Sequence, residues 1–148
     1  MKTYLAGLFL AAIVSSGCSS PQNDTSDGNT SDTSLIGPTW QLAAFGSDEG
    51  EQPVTQDTEI TAEFSDEGRI AGSAGCNRYF GSYEQSEDAL TISQVGSTRM
   101  ACPEPLMNQE DRFLTALKTV ARWERHGNRL DLLDAAGSLL LRFEAQAK

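Results

Sequence analysis

The stretch GSAGCNRYFGSY, from Gly72 to Tyr83, combines three glycines with aromatic and polar residues and a cysteine. Because glycine has no Cβ, the three glycines favour tight bends or a close approach of two backbones, in a region whose flanks read as strands. The side chains that such a bent backbone would bury are Cys76, Tyr79, Phe80 and Tyr83. We therefore expect the fold to be organised around this stretch, with its cysteine close to Cys102.

Short runs of alternating apolar and polar residues predict antiparallel strands on both sides of this stretch. Trp40 and Leu42, for example, share one face of a half-buried strand, and an acidic loop over 46–53 follows it. The clearest hairpin turns at residues 66–68. The predicted strands span 39–45, 58–65, 69–74, 80–85, 90–95, 121–126, 129–133 and 138–144.

One amphipathic helix is predicted to start at Pro103 or Glu104 and to end within 119–122. Phe113, Leu117 and Val120 recur at helical spacing and mark its buried stripe. Proline suits the first helical turn, where the missing N–H costs nothing. The fold class is therefore α+β and mostly β: a small antiparallel sheet of seven to eight strands, curled or barrel-like, with one packed amphipathic helix.

The N-terminus has the layout of an export signal. Residues 1–17 contain Lys2, an apolar run over 5–14 and small residues before Cys18, which resembles the cysteine that is acylated in bacterial lipoproteins. The other interpretation is an ordinary signal peptide that is cleaved near a small residue. Residues 18–34 are then an acylated cysteine and a disordered acidic tether, and 35–148 form the domain. No aspartate follows Cys18 directly, so we expect the lipid anchor to lie in the outer membrane, facing the periplasm.

The charge of the chain excludes some partners. It carries 21 acidic and 11 basic residues, and removing Lys2 with the signal leaves 10 basic residues and a net charge of −11. Nucleic acid is not an expected partner, because binding it requires a basic face. Adhesion to anionic lipid headgroups is disfavoured for the same reason, which leaves the acyl chains as the membrane attachment.

Several motifs together resemble the META domain of HslJ-like heat-shock lipoproteins. The motifs are GPTWQL over 37–42, GSAGCNRY over 72–79, TRMAC over 98–102, and the closing segments around LDL at 130–132 and LRF at 141–143. We call 72–79 and 98–102 the signature segments. The resemblance implies a small barrel-like β fold with a packed helix in the cell envelope, a role in stress response, and no catalytic residues or cofactors. The resemblance implies the fold of this chain more firmly than it implies the function.

Two cysteines remain if Cys18 is acylated, and an exported protein meets an oxidising environment. A disulfide between Cys76 and Cys102 is the leading interpretation. Two reduced buried thiols and a metal site are the alternatives. A metal would need further ligands, and the single histidine, His126, is expected to be a solvated strand end.

Enzymatic function is not expected, because one histidine and no free cysteine leave little for a nucleophile and its base. No metal or other cofactor is predicted. The residues with a possible partner-binding role are Asn77, Arg78, Tyr79, Thr98 and Arg99. The first hypothesis is a non-enzymatic, membrane-anchored periplasmic lipoprotein that supports envelope integrity or stress resistance by binding an unknown envelope protein. The alternative is a carrier or pilot-like protein whose barrel interior holds a lipid or a hydrophobic peptide.

Overall fold

The computed structural model describes residues 34–147. The predicted signal peptide, Cys18 and all of the predicted tether except Ser34 lie outside the described residues. Within them are nine strands and one α-helix. The elements are β1 (Trp40–Phe45), β2 (Gln52–Pro53), β3 (Thr61–Phe64), β4 (Arg69–Ser73), β5 (Arg78–Ser86), β6 (Ala89–Ser97), α1 (Glu104–Thr119), β7 (Arg122–His126), β8 (Arg129–Leu133) and β9 (Leu139–Ala145).

The strands form one antiparallel sheet in the order β2-β1-β3-β4-β5-β6-β7-β8-β9, and β1 also pairs with β9. The sheet therefore curls into a ring, as the predicted fold class requires. The connection between β6 and β7 is the weakest, with Ala89 and Arg122 as its one ladder pair. Helix α1 contacts β6 and β9 and packs against the sheet. Within residues 34–147, no helix is long and apolar enough to cross a bilayer.

Side chains fill the space that the ring encloses. Phe113 of α1 places its ring edge on Tyr79 of β5, with centroids 5.2 Å apart, and lies 6.4 Å from the ring of Phe143 on β9. Leu117 is also fully buried, so the predicted helical stripe is confirmed. The other fully buried large side chains include Leu35, Trp40, Phe45, Ile60, Ile70, Leu90, Leu130 and Leu132.

Two details differ from the sequence-based expectation. A ninth strand, β2, lies in the predicted acidic loop and pairs with Ala44 and Phe45. Two residues are too few to show an alternation, so the pattern did not reveal it. Phe80 was expected to be buried, but its side chain is 52% exposed. Because side chains alternate along a strand and Tyr79 points inward, Phe80 points outward.

The antiparallel registers give the ring two distinct ends. At one end, which we call the entry end, β1, β4, β6 and β8 begin and β3, β5, β7 and β9 stop. The chain enters the ring there, through Ser34 and Leu35, and the turns over 66–68 and 87–88 lie at this end. At the other end, which we call the signature end, lie the loop over 46–51, the turn over 134–137 and both signature segments.

Candidate functional site at the signature end

The two signature segments are joined covalently. Cys76, in the bend between β4 and β5, forms a disulfide with Cys102, which lies just before α1. The Sγ atoms are 2.01 Å apart and the Cα atoms 6.1 Å apart. The sequence left three interpretations of these cysteines open, and the structure confirms the disulfide. It fixes the start of α1 to the glycine-rich bend.

Asn77, the next residue, is the centre of a buried hydrogen-bond network. Asn77 is only 2% exposed to solvent. The Oδ1 atom accepts hydrogen bonds from the hydroxyl of Thr98 at 2.9 Å and from the backbone N–H of Met100 at 2.7 Å. The Nδ2 atom donates to Glu110 Oε1 at 2.7 Å and to the carbonyl of Met100 at 3.4 Å. Asn77 therefore holds the second signature segment and the helix at once.

Glu110 completes this network from α1. Its Oε1 accepts the Asn77 side-chain amide, and its Oε2 accepts the Asn77 backbone N–H at 2.7 Å. Glu110 is 6% exposed, so both carboxyl oxygens are withdrawn from water and satisfied by one residue. A buried polar group without such partners would cost about 1–3 kcal/mol or more. The network therefore stabilises the packing of α1 against the first signature segment.

Thr98, which is exposed, and Tyr79, which is buried, also bond to other parts of the protein. Thr98 Oγ1 accepts the backbone N–H of Arg78 at 3.2 Å while its hydroxyl donates to Asn77. Tyr79 is 2% exposed, and its hydroxyl donates to the carbonyl of Thr61 at 2.9 Å. Burial raises the pKa of Tyr79 far above its ordinary value, and the negative charge of Glu63 adds to this effect.

Arg78 and Arg99 behave differently. Both are exposed, and neither side chain forms a hydrogen bond or an ion pair with any residue of the described range 34–147. The five predicted partner-binding residues thus lie together at the signature end, but they divide into two groups. Asn77, Tyr79 and Thr98 hold the fold, whereas the two arginines face solvent.

A surface cleft of about 480 Å³ lies beside this network. Arg99, Met100 and Ala101 line one side, and Met107, Asp111 and Leu114 of α1 line the other. Asn77 and Glu110 contribute to its wall. The cleft combines a cation with two methionines that are partly exposed, 59% for Met100 and 37% for Met107. Asp111 is exposed in the same cleft, which therefore presents apolar surface beside charges of both signs.

Sequence reasoning missed some of the buried polar contacts. Asp131, 6% exposed, receives two hydrogen bonds from its cross-strand partner Arg142, from Nε at 2.7 Å and Nη2 at 3.0 Å. The hydrogen bond to Asp131 is the main reason that the pKa of Arg142 is raised, and a further bond to Glu51 contributes. Gln109 accepts the backbone N–H of Thr55 at 2.6 Å. In α1 the helical spacing could have indicated the burial of two polar residues, because Gln109 and Glu110 lie four and three residues before the buried Phe113 and therefore on the same side of the helix.

The single histidine, His126, and the serine of the first signature segment, Ser73, make only local contacts. His126 is exposed at the end of β7, as predicted, with Nε2 3.5 Å from the carboxylate of Glu124. Ser73 accepts the backbone N–H of Gly75, as a turn residue does. Within residues 34–147, no group of three or more histidine, cysteine, aspartate or glutamate side chains is arranged to hold a metal ion.

Comparison with known proteins establishes the family. The model of the META domain matches residues 33–147. The chain belongs to the META domain family. No curated protein matches this META-domain chain. The resemblance noted from the signature segments is therefore confirmed.

Solved structures share the fold. An NMR structure of a protein from Burkholderia xenovorans is 27% identical, covers 94% of this chain and 100% of its own, and has a TM-score of 0.67. A second NMR structure is 28% identical, covers 74% and 90% of the two chains, and has a TM-score of 0.56. A crystal structure of a DUF4847 family protein from Bacteroides vulgatus has a TM-score of 0.58 over 80% and 99% of the two chains. At 13% identity, that last likeness concerns the fold alone.

Proposed function

We propose that this META-domain protein is a non-enzymatic binding module of the cell envelope, which supports envelope integrity or stress resistance. The observation that carries the proposal is the division of the signature residues. The polar atoms of Asn77, Thr98 and Glu110 are joined in one hydrogen-bond network that holds the fold. Arg99 is exposed and lines a cleft with exposed methionines, and Arg78 is exposed in the neighbouring strand β5. The signature thus builds a scaffold and presents two cations on it.

The chemistry of the network supports a binding role. A catalytic carboxylate or hydroxyl needs access to a reacting group, whereas Glu110 and Thr98 already use their oxygen atoms for internal hydrogen bonds. The acidic side chain Asp131 is likewise occupied by Arg142. Each of these groups is therefore bonded to another part of the native structure.

The proposed location is the periplasmic face of the outer membrane, with Cys18 as the lipidated residue and residues 18–34 as the tether. The disulfide between Cys76 and Cys102 supports an oxidising compartment, because such bonds persist in the periplasm and are rare in the cytosol. The signal-like layout of residues 1–17 supports export. The acyl chains would then hold the domain at the membrane.

The alternative, a carrier with a ligand in the barrel interior, has less support. Tyr79, Phe113 and Phe143 meet across the space that the ring encloses, and Leu117 and Trp40 are fully buried beside them. A lipid or a hydrophobic peptide would have to displace these side chains. The cleft outside the ring is already open, so it is the better candidate for contact with a partner.

The test uses the full chain in intact cells. A photo-crosslinking amino acid at position 78 or 99 is expected to give adducts with an envelope component, because both side chains face solvent and Arg99 lines the cleft. The matched control is position 118, where Lys118 is an exposed cation at the other end of α1. Equal adduct yields at positions 78, 99 and 118 would contradict the proposal. Mass spectrometry of the N-terminal peptide tests the acylation of Cys18 in the same material.

A further inference from the structure

The residues 97–101, which we call the edge segment, are held to the fold on one side. The backbone N–H of Thr98 donates to the carbonyl of Arg78 at 3.0 Å, and the backbone N–H of Met100 donates to Asn77 Oδ1 at 2.7 Å. The carbonyl of Met100 also accepts the side-chain amide of Asn77 at 3.4 Å. The backbone groups of two alternate residues are therefore bonded to the first signature segment.

The backbone groups of the other three residues point the other way. Along an extended chain beside a partner strand, residues that bond to the partner alternate with residues that do not, so Ser97, Arg99 and Ala101 direct their N–H and C=O groups away from the first signature segment. In the part of the chain that the structure describes, none of these groups forms a hydrogen bond. Arg99 and Ala101 are exposed, and Ser97 is half-buried. The edge segment thus presents unpaired donors and acceptors at strand spacing.

An open cleft lies along this edge. Strand β6 pairs with β7 only through Ala89 and Arg122, at the far end of β6 from the edge segment, and α1 packs beside it. All five residues of the edge segment line the cleft of about 480 Å³, and Met107, Asp111 and Leu114 of α1 line its other side. A strand that joins a sheet lies about 4.8 Å from its neighbour, so the cleft is the place where an added strand would lie.

We propose that the edge segment binds an extended peptide segment of an envelope protein as an added strand in this cleft. This deepens the proposed function and rests on it, because it gives the chemistry of the partner at the same cleft. The peptide backbone bonds to the N–H and C=O groups of Ser97, Arg99 and Ala101, as in other domains that add a strand to an open sheet edge. Its apolar side chains contact Met100 and Met107, whose flexible thioethers adapt to different shapes.

The charges of the cleft further define the peptide. Arg99 is exposed and forms no ion pair within residues 34–147, and the same holds for Arg78 on the neighbouring strand. A hydrogen bond from a guanidinium to a carboxylate is stronger than one between neutral groups, so a carboxylate of the peptide is expected beside Arg99. Asp111 on the opposite wall disfavours a second carboxylate there. The expected peptide is therefore apolar at alternate positions, with one acidic residue near the edge segment.

Other occupants fit this edge less well. Antiparallel pairing of two copies about the middle of the edge segment would put their Arg99 side chains opposite each other, and like charges in that position are destabilising. Residues 19–33 of the chain contain no aliphatic or aromatic side chain to contact the two methionines. A lipid chain has no amide groups, so it would leave the backbone groups of the edge segment unpaired.

Peptide selection followed by amide hydrogen exchange tests the proposal. The probe is a phage-displayed library of random peptides, selected on the full chain in detergent micelles with its disulfide intact. We expect the selected peptides to have alternating apolar residues and a carboxylate. Bound peptide should slow exchange at the amides of Ser97, Arg99 and Ala101 by about tenfold or more. The amides of Thr98 and Met100 are already hydrogen-bonded, so their exchange should change less.

Two substitutions at position 99 separate the backbone from the side chain. Arg99→Pro removes an N–H that has no partner in the fold, together with the charge, and should weaken binding of a selected peptide about tenfold or more. Arg99→Ala keeps the N–H and removes the charge, so it should weaken binding only about threefold. The matched control Lys118→Ala, at the other end of α1, should leave binding unchanged. Equal binding by Arg99→Pro and Arg99→Ala would contradict the added strand.

The outcomes separate this inference from the proposed function. If positions 78 and 99 crosslink to an envelope component but no selected peptide slows exchange in the edge segment, the added strand is wrong and the binding module stands. The added strand is also wrong if exchange there slows with protein concentration alone, slows only with phospholipid vesicles, or speeds up when residues 19–33 are deleted. The occupant is then a second copy, a lipid or the chain's own N-terminal segment. Equal crosslinking at positions 78, 99 and 118 would contradict the proposed function itself.

Discussion

Asn77 and Glu110, 33 positions apart in the chain, are joined by two hydrogen bonds of 2.7 Å, one from the backbone N–H and one from the side-chain amide of Asn77. The neighbouring Cys76 is bonded covalently to Cys102. The glycine-rich bend is thus fixed to α1 by a polar contact and a disulfide. This arrangement explains what the signature segments do: they hold the helix against the curled sheet.

The disulfide is expected to contribute a large part of the stability of the domain. The bonded residues are 26 positions apart, and closing a loop of that length stabilises the folded state by about 3.5 kcal/mol in the chain-entropy model. The double variant Cys76→Ala/Cys102→Ala should lose that amount in urea unfolding. Reductant should weaken the wild type and leave the variant unchanged. Equal unfolding midpoints for oxidised and reduced wild type would contradict this.

Alkaline pH is expected to destabilise the protein through Tyr79. Burial raises the pKa of Tyr79 in the folded state above its unfolded value near 10, so the folded state retains the proton more strongly. The resulting stability is fully present below pH 10 and is lost as the pH rises further. Urea unfolding between pH 8 and 11.5 measures this loss.

The variant Tyr79→Phe separates the two roles of this hydroxyl. At pH 8 it should be about 1 kcal/mol less stable than the wild type, because the hydrogen bond to Thr61 is lost. Above pH 10 its stability should fall less steeply. A smaller dependence is retained, because burial and the charge of Asp66 also raise the pKa of Tyr83. An alkaline slope equal to that of the wild type would show that Tyr79 is not the responsible group.

The pair Asp131 and Arg142 provides a test of the second buried polar contact. Asp131→Ala removes the acceptor of two hydrogen bonds and leaves a partly buried guanidinium with fewer partners. We expect a loss of about 3 kcal/mol in the free energy of unfolding. The double variant Asp131→Leu/Arg142→Leu should recover part of it, because the buried carboxylate and its guanidinium partner are removed together, and the charges that lose a contact, Glu51 and Arg129, are the more exposed ones. A loss below about 0.5 kcal/mol for Asp131→Ala would contradict the structural assignment.

Much of the fold was predictable because its elements obey simple periodicities. The alternation in 58–74 gave the β3–β4 hairpin, and the helical spacing of Phe113, Leu117 and Val120 gave α1. Phe80 is exposed because strand alternation, and not aromatic character, decides which side chains of β5 point inward. Asp131 was missed because its burial depends on Arg142, which lies across the sheet in β9. Contacts of that kind depend on the register between strands, which no local pattern contains.

The candidate site was predictable as a location but not as a division of roles. Asn77, Arg78 and Thr98 all lie in the two signature segments, and the resemblance to the META domain identified those segments as one family signature. Which of them faces solvent depends on Glu110, because its carboxyl group captures Asn77. A glutamate three residues before a buried phenylalanine on the apolar side of a helix was the available clue.

Two glycines in the β4–β6 region should respond differently to alanine. A Cβ at Gly72 would lie 2.1 Å from the carbonyl oxygen of Thr61, so backbone has to move. We expect Gly72→Ala to cost about 3 kcal/mol. A Cβ at Gly96 would meet the tip of the exposed Phe80 ring at 2.9 Å, and the ring can turn aside. Gly96→Ala should therefore cost less than about 1 kcal/mol. Thermal unfolding of the two variants checks the order, and the reverse order would contradict the packing described.

The most direct test of the central claim, that the signature holds α1 against the sheet, is a double-mutant cycle between Asn77 and Glu110. The free energy of unfolding is measured in urea for the wild type, Asn77→Ala, Glu110→Ala and the double variant. Each single variant should lose about 2–4 kcal/mol, and the double variant should lose about 2 kcal/mol less than the two together, because the bonded groups are removed as a pair. Losses that add to within about 0.5 kcal/mol would contradict the claim.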